Sequence, residues 1–294
     1  MIRRVMFYLN KDKPSIYEIV SRSAALCAER GIQPCFFSED AQQLRLFAPQ
    51  ALEGSIIMDA PKSGKVDVVL VFGGDGTVLR ALDLYVDQEI PVLGVNLGRM
   101  GFLLETPPEE LGHALDLLCK GKFEIERRMM LRVEGVCAGK QICAYASNDV
   151  SISRGLSQRM IAMDAYVGQT LVDHYIADGL VLASPTGSTA YSLSCGGPIV
   201  APDVQCFVLS PICPHSLQSR PIVLSPTERV RLRISMKEMR EGMLLSVDGQ
   251  AICEMRNHEE VCVYRSPHDA MLIRFNKDRN YFSLLREKLA QWSL

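Results

Sequence analysis

The chain has 294 residues, of which 48% are hydrophobic and 22% charged, the composition of an ordinary globular protein and not of a disordered or fibrous one. Its net charge of −2 gives no general attraction to nucleic acid or to an anionic membrane. No stretch approaches the roughly 20 apolar residues of a membrane span, and the first ten residues carry no secretory signal. We therefore expect a cytoplasmic protein, and its length predicts two domains.

Ten cysteines are scattered along the chain without any C-x-x-C pair. Several of them, such as Cys27, Cys35 and Cys119, lie inside apolar segments. We therefore expect reduced thiols in the core instead of disulfides. A structural zinc site is not expected, because the ligand spacing of such sites is missing.

The first elements predict a parallel sheet. Residues 2–8 predict a strand, and residues 32–37 predict a second one. Between them we expect a helix that a capping box of Ser15 and Glu18 opens and Gly31 closes. Because a strand, a helix and a strand follow one another, a right-handed crossover is expected. Residues 38–64 predict an irregular connection with one short helix.

Residues 66–80 predict a buried strand that runs into a glycine turn, Gly-Gly-Asp-Gly-Thr at 73–77, and then a helix. Ligands of parallel sheets bind at this end of the strands, and glycines let main-chain N–H groups approach a phosphate. Asp75 is thus a candidate catalytic residue. The turn alone leaves a second interpretation open, in which the glycines supply positive φ and Asp75 caps the helix. The chain has neither G-x-x-x-x-G-K-[ST] nor G-x-G-x-x-G.

A second glycine-rich turn, at Gly98 and Gly101, follows the strand predicted from Pro91, so the two turns could converge on one ligand. A capping box of Thr106 and Glu109 then predicts a helix up to residue 121. We place the first domain boundary near Lys122.

From residue 123 the sequence changes to short alternating segments, typical of an antiparallel β-rich domain. The run 180–198 is dense in small hydroxyl residues and predicts a binding loop more than a core strand. The closing helix, 281–292, is expected to pack on the first domain. The predicted fold is an α/β domain with a parallel sheet, residues 1–122 plus 270–294, and a β-rich domain, residues 123–269. The strands predicted in the second domain are 130–136, 142–152, 161–167, 171–176, 204–209, 229–234, 244–247 and 260–264.

Five separated blocks of the sequence form one recognisable set: residues 73–77, 96–102, 148–149, 178–198 and 246–250. With these blocks in this order, the sequence resembles the NAD kinase family along nearly its whole length. The segments 211–217 and 220–221 fit as well. Diacylglycerol and sphingosine kinases share the first block, so that block alone is weak.

The resemblance implies transfer of the γ-phosphoryl group of ATP to the 2′-hydroxyl of the adenosine ribose of NAD, giving NADP. Asp75 would be the general base on that hydroxyl, in a cleft between the two domains. Mg²⁺ bound with ATP would neutralise the triphosphate, and no protein metal ligands are assigned. A homodimer or homotetramer is implied as well. From the charge balance and the absence of a span, we expect no nucleic-acid or membrane partner.

The resemblance also implies which other residues bind substrate and nucleotide. The sequence by itself leaves a structural alternative for several: a bulge or turn at the Asn148-Asp149 pair, a turn at Asp178, a hairpin at Asp248-Gly249, core packing for Tyr191, and solvated side chains for Arg80 and Arg159. The binding residues so implied are Gly73, Gly74, Gly76, Thr77, Arg80, Asn148, Asp149, Arg159, Asp178, Thr189, Ala190, Tyr191, Ser194, Asp248 and Gln250.

Two competing functions stay open at this point. A lipid or other small-alcohol kinase shares the glycine turn but needs an apolar acceptor pocket, whereas residues 186–198 supply small hydroxyls and one tyrosine. A non-catalytic dinucleotide sensor would keep the fold and lose the carboxylate, and Asp75 is present.

Overall fold

The computed structural model describes residues 2–12, 15–61, 63–98, 101–157, 159–236, 242–275 and 281–292. The chain divides into two compact units, Met1–Arg127 with Ala270–Leu294 and Arg128–Asp269. The first boundary thus falls after Arg127 and not near Lys122, because one more strand follows Lys122 and joins the sheet of the first unit.

The first unit alternates strands and helices, as predicted. The short helix expected within residues 38–64 is α2, and an additional edge strand, β3, follows it. Up to residue 128 the elements are β1 (Arg4–Leu9), α1 (Ile16–Ala28), β2 (Gln33–Phe37), α2 (Ser38–Phe47), β3 (Ile56–Met58), β4 (Val68–Gly73), α3 (Asp75–Tyr85), β5 (Val92–Asn96), α4 (Leu111–Cys119) and β6 (Glu124–Arg128).

In the first unit, the glycines predicted to end helices are confirmed, whereas the two predicted capping boxes are wrong. Gly31 and Gly121 end their helices with φ of +66°. Ser15 precedes α1 but its side chain makes no capping hydrogen bond. Thr106 lies away from the start of α4, because its carbonyl accepts the N–H of Asn96 at 2.8 Å and it forms a bridge to β5.

The second unit consists almost entirely of strands, after which the chain returns to the first unit. Its strands β14 and β17 were not predicted. In chain order the elements are β7 (Leu131–Cys137), β8 (Lys140–Ala146), β9 (Asp149–Ser153), β10 (Ile161–Val167), β11 (Thr170–Ala177), β12 (Gly179–Ala183), α5 (Tyr191–Ser194), β13 (Phe207–Ile212), β14 (Ile222–Leu224), β15 (Arg229–Ile234), β16 (Met243–Val247), β17 (Gln250–Met255), β18 (Glu260–Arg265), β19 (Ala270–Arg274) and α6 (Tyr281–Trp292).

The sheet of the first unit has the order β3-β2-β1-β4-β5-β19-β6. Strands β1 to β5 pair in parallel, as predicted. The chain moves outward from β1 through β2 to β3 and then returns to the other side of β1 with β4. This reversal places the carboxyl ends of β1 and β4 side by side at a topological switch point, where ligands of open parallel sheets bind.

The core of the first unit fixes the central strands. Every residue of β4 is buried, as its continuous apolar run predicts. The Phe7 ring of β1 lies 4.9 Å from that of Phe36 and 5.1 Å from that of Phe72. In the same unit, the ring of Tyr281 at the start of α6 lies 5.9 Å from that of Phe102.

The second unit has two six-stranded sheets, β11-β10-β15-β18-β7-β8 and β14-β13-β12-β9-β16-β17. Their pairings are antiparallel, as predicted. One apolar cluster takes residues from both sheets, among them Val133, Met163 and Leu232 of the first and Ile152 and Leu182 of the second. This shared core fixes where the strands end and therefore where the polar segments between them lie.

Two predictions about strands in this unit are wrong. The single strand predicted over 142–152 is two strands, β8 and β9, which belong to different sheets and leave Asn148 at the break. The run 180–198 starts with β12, whose residues are all buried between β9 and β13, before it becomes a turn and the short helix α5. Alternation along the sequence does not show that a chain crosses from one sheet to the other.

The expectation of reduced thiols is wrong for one pair. Cys137 and Cys253, 116 residues apart, form a disulfide with a Cα–Cα distance of 6.3 Å. It joins β7 of one sheet to β17 of the other. None of the helices in the described ranges has the length and apolar composition needed to cross a membrane.

Candidate functional site

Asp75 is the first residue of α3, directly at the carboxyl end of β4. Gly73 ends the strand and Gly74 precedes the helix with an extended backbone, φ −115° and ψ −176°. Gly73, Gly74 and Gly76 are not among the residues with positive φ, and no side chain caps the helix. The alternative in which the glycines supply positive φ and Asp75 caps its helix is therefore wrong.

The carboxylate of Asp75 is held by the second glycine-rich turn. Its Oδ2 accepts the N–H of Phe102 at 2.8 Å, and its Oδ1 accepts the N–H of Leu103 at 3.0 Å. A Cβ at Gly101 would overlap this carboxylate, which is why a glycine is needed there. The two glycine-rich turns thus meet at Asp75.

The remaining residues of the first turn divide into structural and accessible ones. A Cβ at Gly73 would overlap the hydroxyl of Thr77, which is 2% exposed, so these two residues pack together. Gly74 and Gly76 have open space around them. The first N–H groups of a helix have no partner within it, so this open end can bind an anion. Arg80, about one turn further along α3, is exposed.

Arg274, which sequence reasoning missed, clamps the segment that holds Asp75. Its guanidinium donates to the carbonyl oxygens of Leu103 at 3.2 Å and Phe102 at 3.4 Å. It also pairs with Glu126 at 2.7 Å and Glu105 at 3.4 Å. No spacing signal could have found this contact, because Arg274 lies on β19, which only the folded sheet brings beside β5.

In the second unit, Asp248 organises the break between β8 and β9. With φ of +47°, and Gly249 at +75°, it forms the hairpin turn between β16 and β17. Its carboxylate accepts three backbone N–H groups, from Ser147 at 2.9 Å, Asn148 at 2.7 Å and Asp149 at 3.0 Å. Both the hairpin and a long-range contact therefore occur at Asp248.

The pair Asn148 and Asp149 lies at this break. The Asn148 carbonyl accepts the N–H of Ser184 at 2.8 Å, and a Cβ at Gly187 would overlap it, so the turn after β12 packs directly on the pair. Asp149 is only 5% exposed. Burial, followed by the nearby Asp248 carboxylate, raises the pKa of Asp149 to about 7. At neutral pH Asp149 is thus protonated in a large share of molecules and can donate a hydrogen bond.

The hydroxyl-rich segment has an internal and an outward side. Ser188 donates to the carbonyl of Pro185 at 2.6 Å, and Ser192 contacts Ser210 at 2.9 Å; all three serines are fully buried. Thr189 and Ala190 are half-buried, whereas Ser194 is exposed. The three buried hydroxyls therefore stabilise the segment and leave its outward residues available to a ligand.

Tyr191 faces outward, with 42% of its surface exposed, so the core-packing alternative is wrong. Its pKa is raised by burial first and then by nearby thiols and carboxylates, among them Asp149 and Asp178. Its hydroxyl is therefore within electrostatic reach of both carboxylates.

Asp178 lies between β11 and β12 and is held by Arg154, a second residue that sequence reasoning missed. The Arg154 guanidinium lies 2.9 Å from the Asp178 carboxylate, and its backbone N–H donates to the Asp178 carbonyl at 3.0 Å. Arg159 is exposed and takes part in none of these contacts, and Gln250 is exposed opposite Val247. Among the described residues, no three His, Cys, Asp or Glu side chains cluster as a metal site.

Two family profiles match the chain. Residues 5–123 match the ATP-NAD kinase N-terminal domain, and residues 147–275 match the ATP-NAD kinase C-terminal domain. The chain is 37% identical to the NAD kinase of Moorella thermoacetica over 290 residues, 99% of this chain and 90% of the relative. It is 37% identical to the NAD kinase of Geobacter sulfurreducens over 289 residues, 98% of both chains.

Solved structures are similar as well. A crystal structure of yeast NADH kinase complexed with NADH superimposes with a TM-score of 0.88 at 25% identity, covering 98% of this chain and 88% of that one. An NAD kinase from Archaeoglobus fulgidus in complex with ATP gives a TM-score of 0.73 at 24% identity, covering 96% and 98%. The second likeness supports the fold alone.

Proposed function

The chain belongs to the NAD kinase family, and on that premise we propose that it transfers the γ-phosphoryl group of ATP to the 2′-hydroxyl of the adenosine ribose of NAD. The fixed carboxylate of Asp75, at the open N-terminus of α3, is the main support for this active site. Phosphoryl transfer needs mostly positioning of the acceptor and stabilisation of charge, and one carboxylate beside a phosphate-binding helix end can provide both.

We propose Asp75 as the general base. Each of its oxygens accepts one backbone N–H, which leaves lone pairs that can accept the hydrogen of the ribose hydroxyl. The same N–H groups fix the direction of the carboxylate before substrate arrives. The main chain at Gly73, Gly74 and Gly76 would then hold phosphate, with Arg80 adding positive charge. Thr77, whose N–H donates to the Gly74 carbonyl at 2.9 Å, would support the binding turn from inside.

Magnesium would enter with the donor. One carboxylate together with substrate phosphates is a donor set that Mg²⁺ uses in proteins, so the arrangement around Asp75 fits the ion. When bound, the ion neutralises charge on the triphosphate. The chain's own residues orient the hydroxyl and accept its proton.

The second unit would supply the contacts to NAD. We propose that Asn148 and Asp149 bind the adenosine, with protonated Asp149 able to donate to an acceptor nitrogen or oxygen. The face of Tyr191 would stack on the adenine, next to Thr189, Ala190 and Ser194. Asp178 would bind nucleotide hydroxyls. We also assign Arg159, Asp248 and Gln250 to substrate and nucleotide binding. Asp248 would act indirectly, by holding the backbone of Asn148 and Asp149.

The two alternatives are less well supported. The relatives that align over nearly the whole chain are named NAD kinases. The outward residues of the hydroxyl-rich segment offer one aromatic ring and hydroxyl groups, whereas a lipid kinase needs an apolar surface there. A non-catalytic sensor has no need of a carboxylate held by two backbone groups. The proposal further includes a homodimer or homotetramer, as the family resemblance implies, and a cytoplasmic location, as expected from the sequence.

The test is an assay of the purified protein with ATP, Mg²⁺ and NAD, in which NADP is measured with an NADP-specific dehydrogenase. We expect NADP to form in proportion to enzyme. Parallel incubations replace NAD by a diacylglycerol or by sphingosine. Phosphorylation of a lipid alcohol without NADP formation would favour a lipid kinase. Tight NAD binding without any turnover would favour a non-catalytic dinucleotide sensor.

A further inference from the structure

Arg274 contacts the same peptide group that holds the Asp75 carboxylate, but from its other end. The N–H of Leu103 donates to Oδ1 of Asp75 at 3.0 Å, and the Phe102 carbonyl accepts from the Arg274 guanidinium at 3.4 Å. This carbonyl and this N–H are the two ends of one planar peptide group. A second donor of the guanidinium reaches the Leu103 carbonyl at 3.2 Å. The position of the guanidinium is therefore transmitted to the carboxylate through a single rigid group.

Two glutamates fix the guanidinium in its turn. Nε of Arg274 lies 2.7 Å from the Glu126 carboxylate, and Nη1 lies 3.4 Å from the almost fully buried carboxylate of Glu105. The other oxygen of Glu105 accepts the N–H of Phe275 at 3.0 Å, so the side chain and the backbone at this end of β19 are held together. The planar guanidinium has five donors and can satisfy two carboxylates and two carbonyls at once, whereas a lysine ammonium has three.

The backbone of residues 102–106 is also tied to β5 at its later residues. The N–H groups of Glu105 and Thr106 donate to the Gly94 carbonyl at 3.3 Å and 3.2 Å. At its earlier residues, next to Asp75, the carbonyl contacts come from Arg274. Since β19 is paired with β5, both sets of contacts attach residues 102–106 to the same sheet.

Two physical effects reach Asp75 through the shared peptide group. The guanidinium fixes the plane of the peptide and therefore the direction in which the Leu103 N–H points. Hydrogen bonds in a chain also polarise one another, so a cation on the carbonyl makes the N–H at the other end a stronger donor. Both effects hold the carboxylate in one orientation before an acceptor hydroxyl arrives.

We propose that Arg274 is a positioning residue for phosphoryl transfer, which orients Asp75 through the peptide group between Phe102 and Leu103. The inference rests on the proposed function and adds to it a residue outside both glycine-rich turns. Arginine is required at this position, and not any cation, because the contacts with both carbonyls and both glutamates need the guanidinium fork. Loss of the fork therefore slows the chemical step and leaves the binding of both substrates intact.

Arg274→Lys tests the proposal, because it keeps the positive charge and removes the fork. Arg30→Lys is the matched control: Arg30 lies in the same unit, with Nε 2.7 Å from Asp116 and Nη1 donating to the Leu26 carbonyl at 2.8 Å. We expect Arg274→Lys to lower the single-turnover rate of NADP formation by about 10- to 100-fold. The KM values for ATP and NAD should change by less than about twofold, and Arg30→Lys should keep the original rate.

Hydrogen exchange measured by mass spectrometry follows the contact without any turnover. Peptides that contain Phe102 and Leu103 should exchange faster in Arg274→Lys than in the original protein or in Arg30→Lys, because the N–H groups that hold Asp75 open more often. Urea denaturation checks that the variants fold. If Arg274→Lys does not fold, Glu126→Gln takes its place, since it keeps the arginine and removes the charge of its partner. It should change exchange and rate in the same direction.

The two measurements separate failure of this inference from failure of the proposed function. If the original protein forms NADP while the folded variant keeps the original rate, the role of Arg274 is wrong and the function stands. The same holds if the loss is explained by a raised KM or is equal in Arg30→Lys. If the original protein forms no NADP, the proposed function fails. Unchanged exchange at Phe102 and Leu103 would then show that Arg274 does not orient Asp75 either.

Discussion

The Asp248 carboxylate accepts the backbone N–H of Asn148 at 2.7 Å across 100 residues of sequence. The same carboxylate holds the N–H groups of Ser147 and Asp149, so the break between β8 and β9 is fixed from a hairpin in another part of the chain. The substrate-binding role proposed for Asn148 and Asp149 thus depends on a residue that would act through the main chain.

Asp248→Asn should weaken NAD binding and destabilise the protein. Asparagine tolerates the left-handed backbone at this position, but its amide nitrogen cannot accept an N–H, so at least one buried donor loses its partner. The expected loss is about 1–3 kcal/mol in the free energy of unfolding, together with a raised KM for NAD. Urea denaturation and initial rates measure the two effects, with Asp203→Asn, at an exposed loop position, as the control.

Asp149→Asn should change how stability depends on pH. Because burial raises the pKa of Asp149 from 3.8 to about 7, the folded protein keeps a proton that the unfolded chain releases between these values. The original protein should therefore lose stability relative to the variant as pH rises through this window, by at most about 1.4 kcal/mol per pH unit, and not beyond it. Urea denaturation at about pH 5 and about pH 8 tests this. A constant difference between the two proteins would contradict the raised pKa.

Tyr191→Ala should raise the KM for NAD by about 5- to 150-fold, because stacking of an aromatic ring on a base contributes about 1–3 kcal/mol. Tyr191→Phe keeps the ring, so its KM for NAD should stay close to that of the original protein. The KM for ATP should not change in either variant. Equal effects of Phe and Ala would show that the hydroxyl and not the ring binds the substrate.

Gly101→Ala should lower kcat by about 100-fold or more, because the added Cβ overlaps the Asp75 carboxylate and displacements of about 1 Å have effects of that size. Gly54→Ala at a positive-φ turn with open space is a control for general backbone strain. Loss of stability without loss of turnover in Gly101→Ala would mean that the position of the carboxylate is not critical.

The local elements of the first unit could be predicted because their signals are local. The buried run of β4, the helix that follows and the stop at Gly31 all depend on neighbours in sequence. The capping boxes failed because the same short pattern also occurs where tertiary contacts dominate, as at Thr106 beside β5.

The long-range part of the candidate site could not be predicted from patterns. Alternation in 142–152 suits one strand or two, and only the packing of two sheets decides that the chain breaks at Asn148. Arg274 and Arg154 have no motif around them, and their partners are set by strand order. The disulfide between Cys137 and Cys253 likewise depends on which strands face each other.

Asp75→Asn tests whether Asp75 acts as the base on the acceptor hydroxyl. The variant is compared with the original protein for NAD affinity, by calorimetry, and for single-turnover formation of NADP with ATP and Mg²⁺. We expect turnover to fall by about 10²- to 10⁴-fold while NAD affinity is retained. Undiminished turnover, or a loss fully explained by lost NAD binding, would show that Asp75 is not the base.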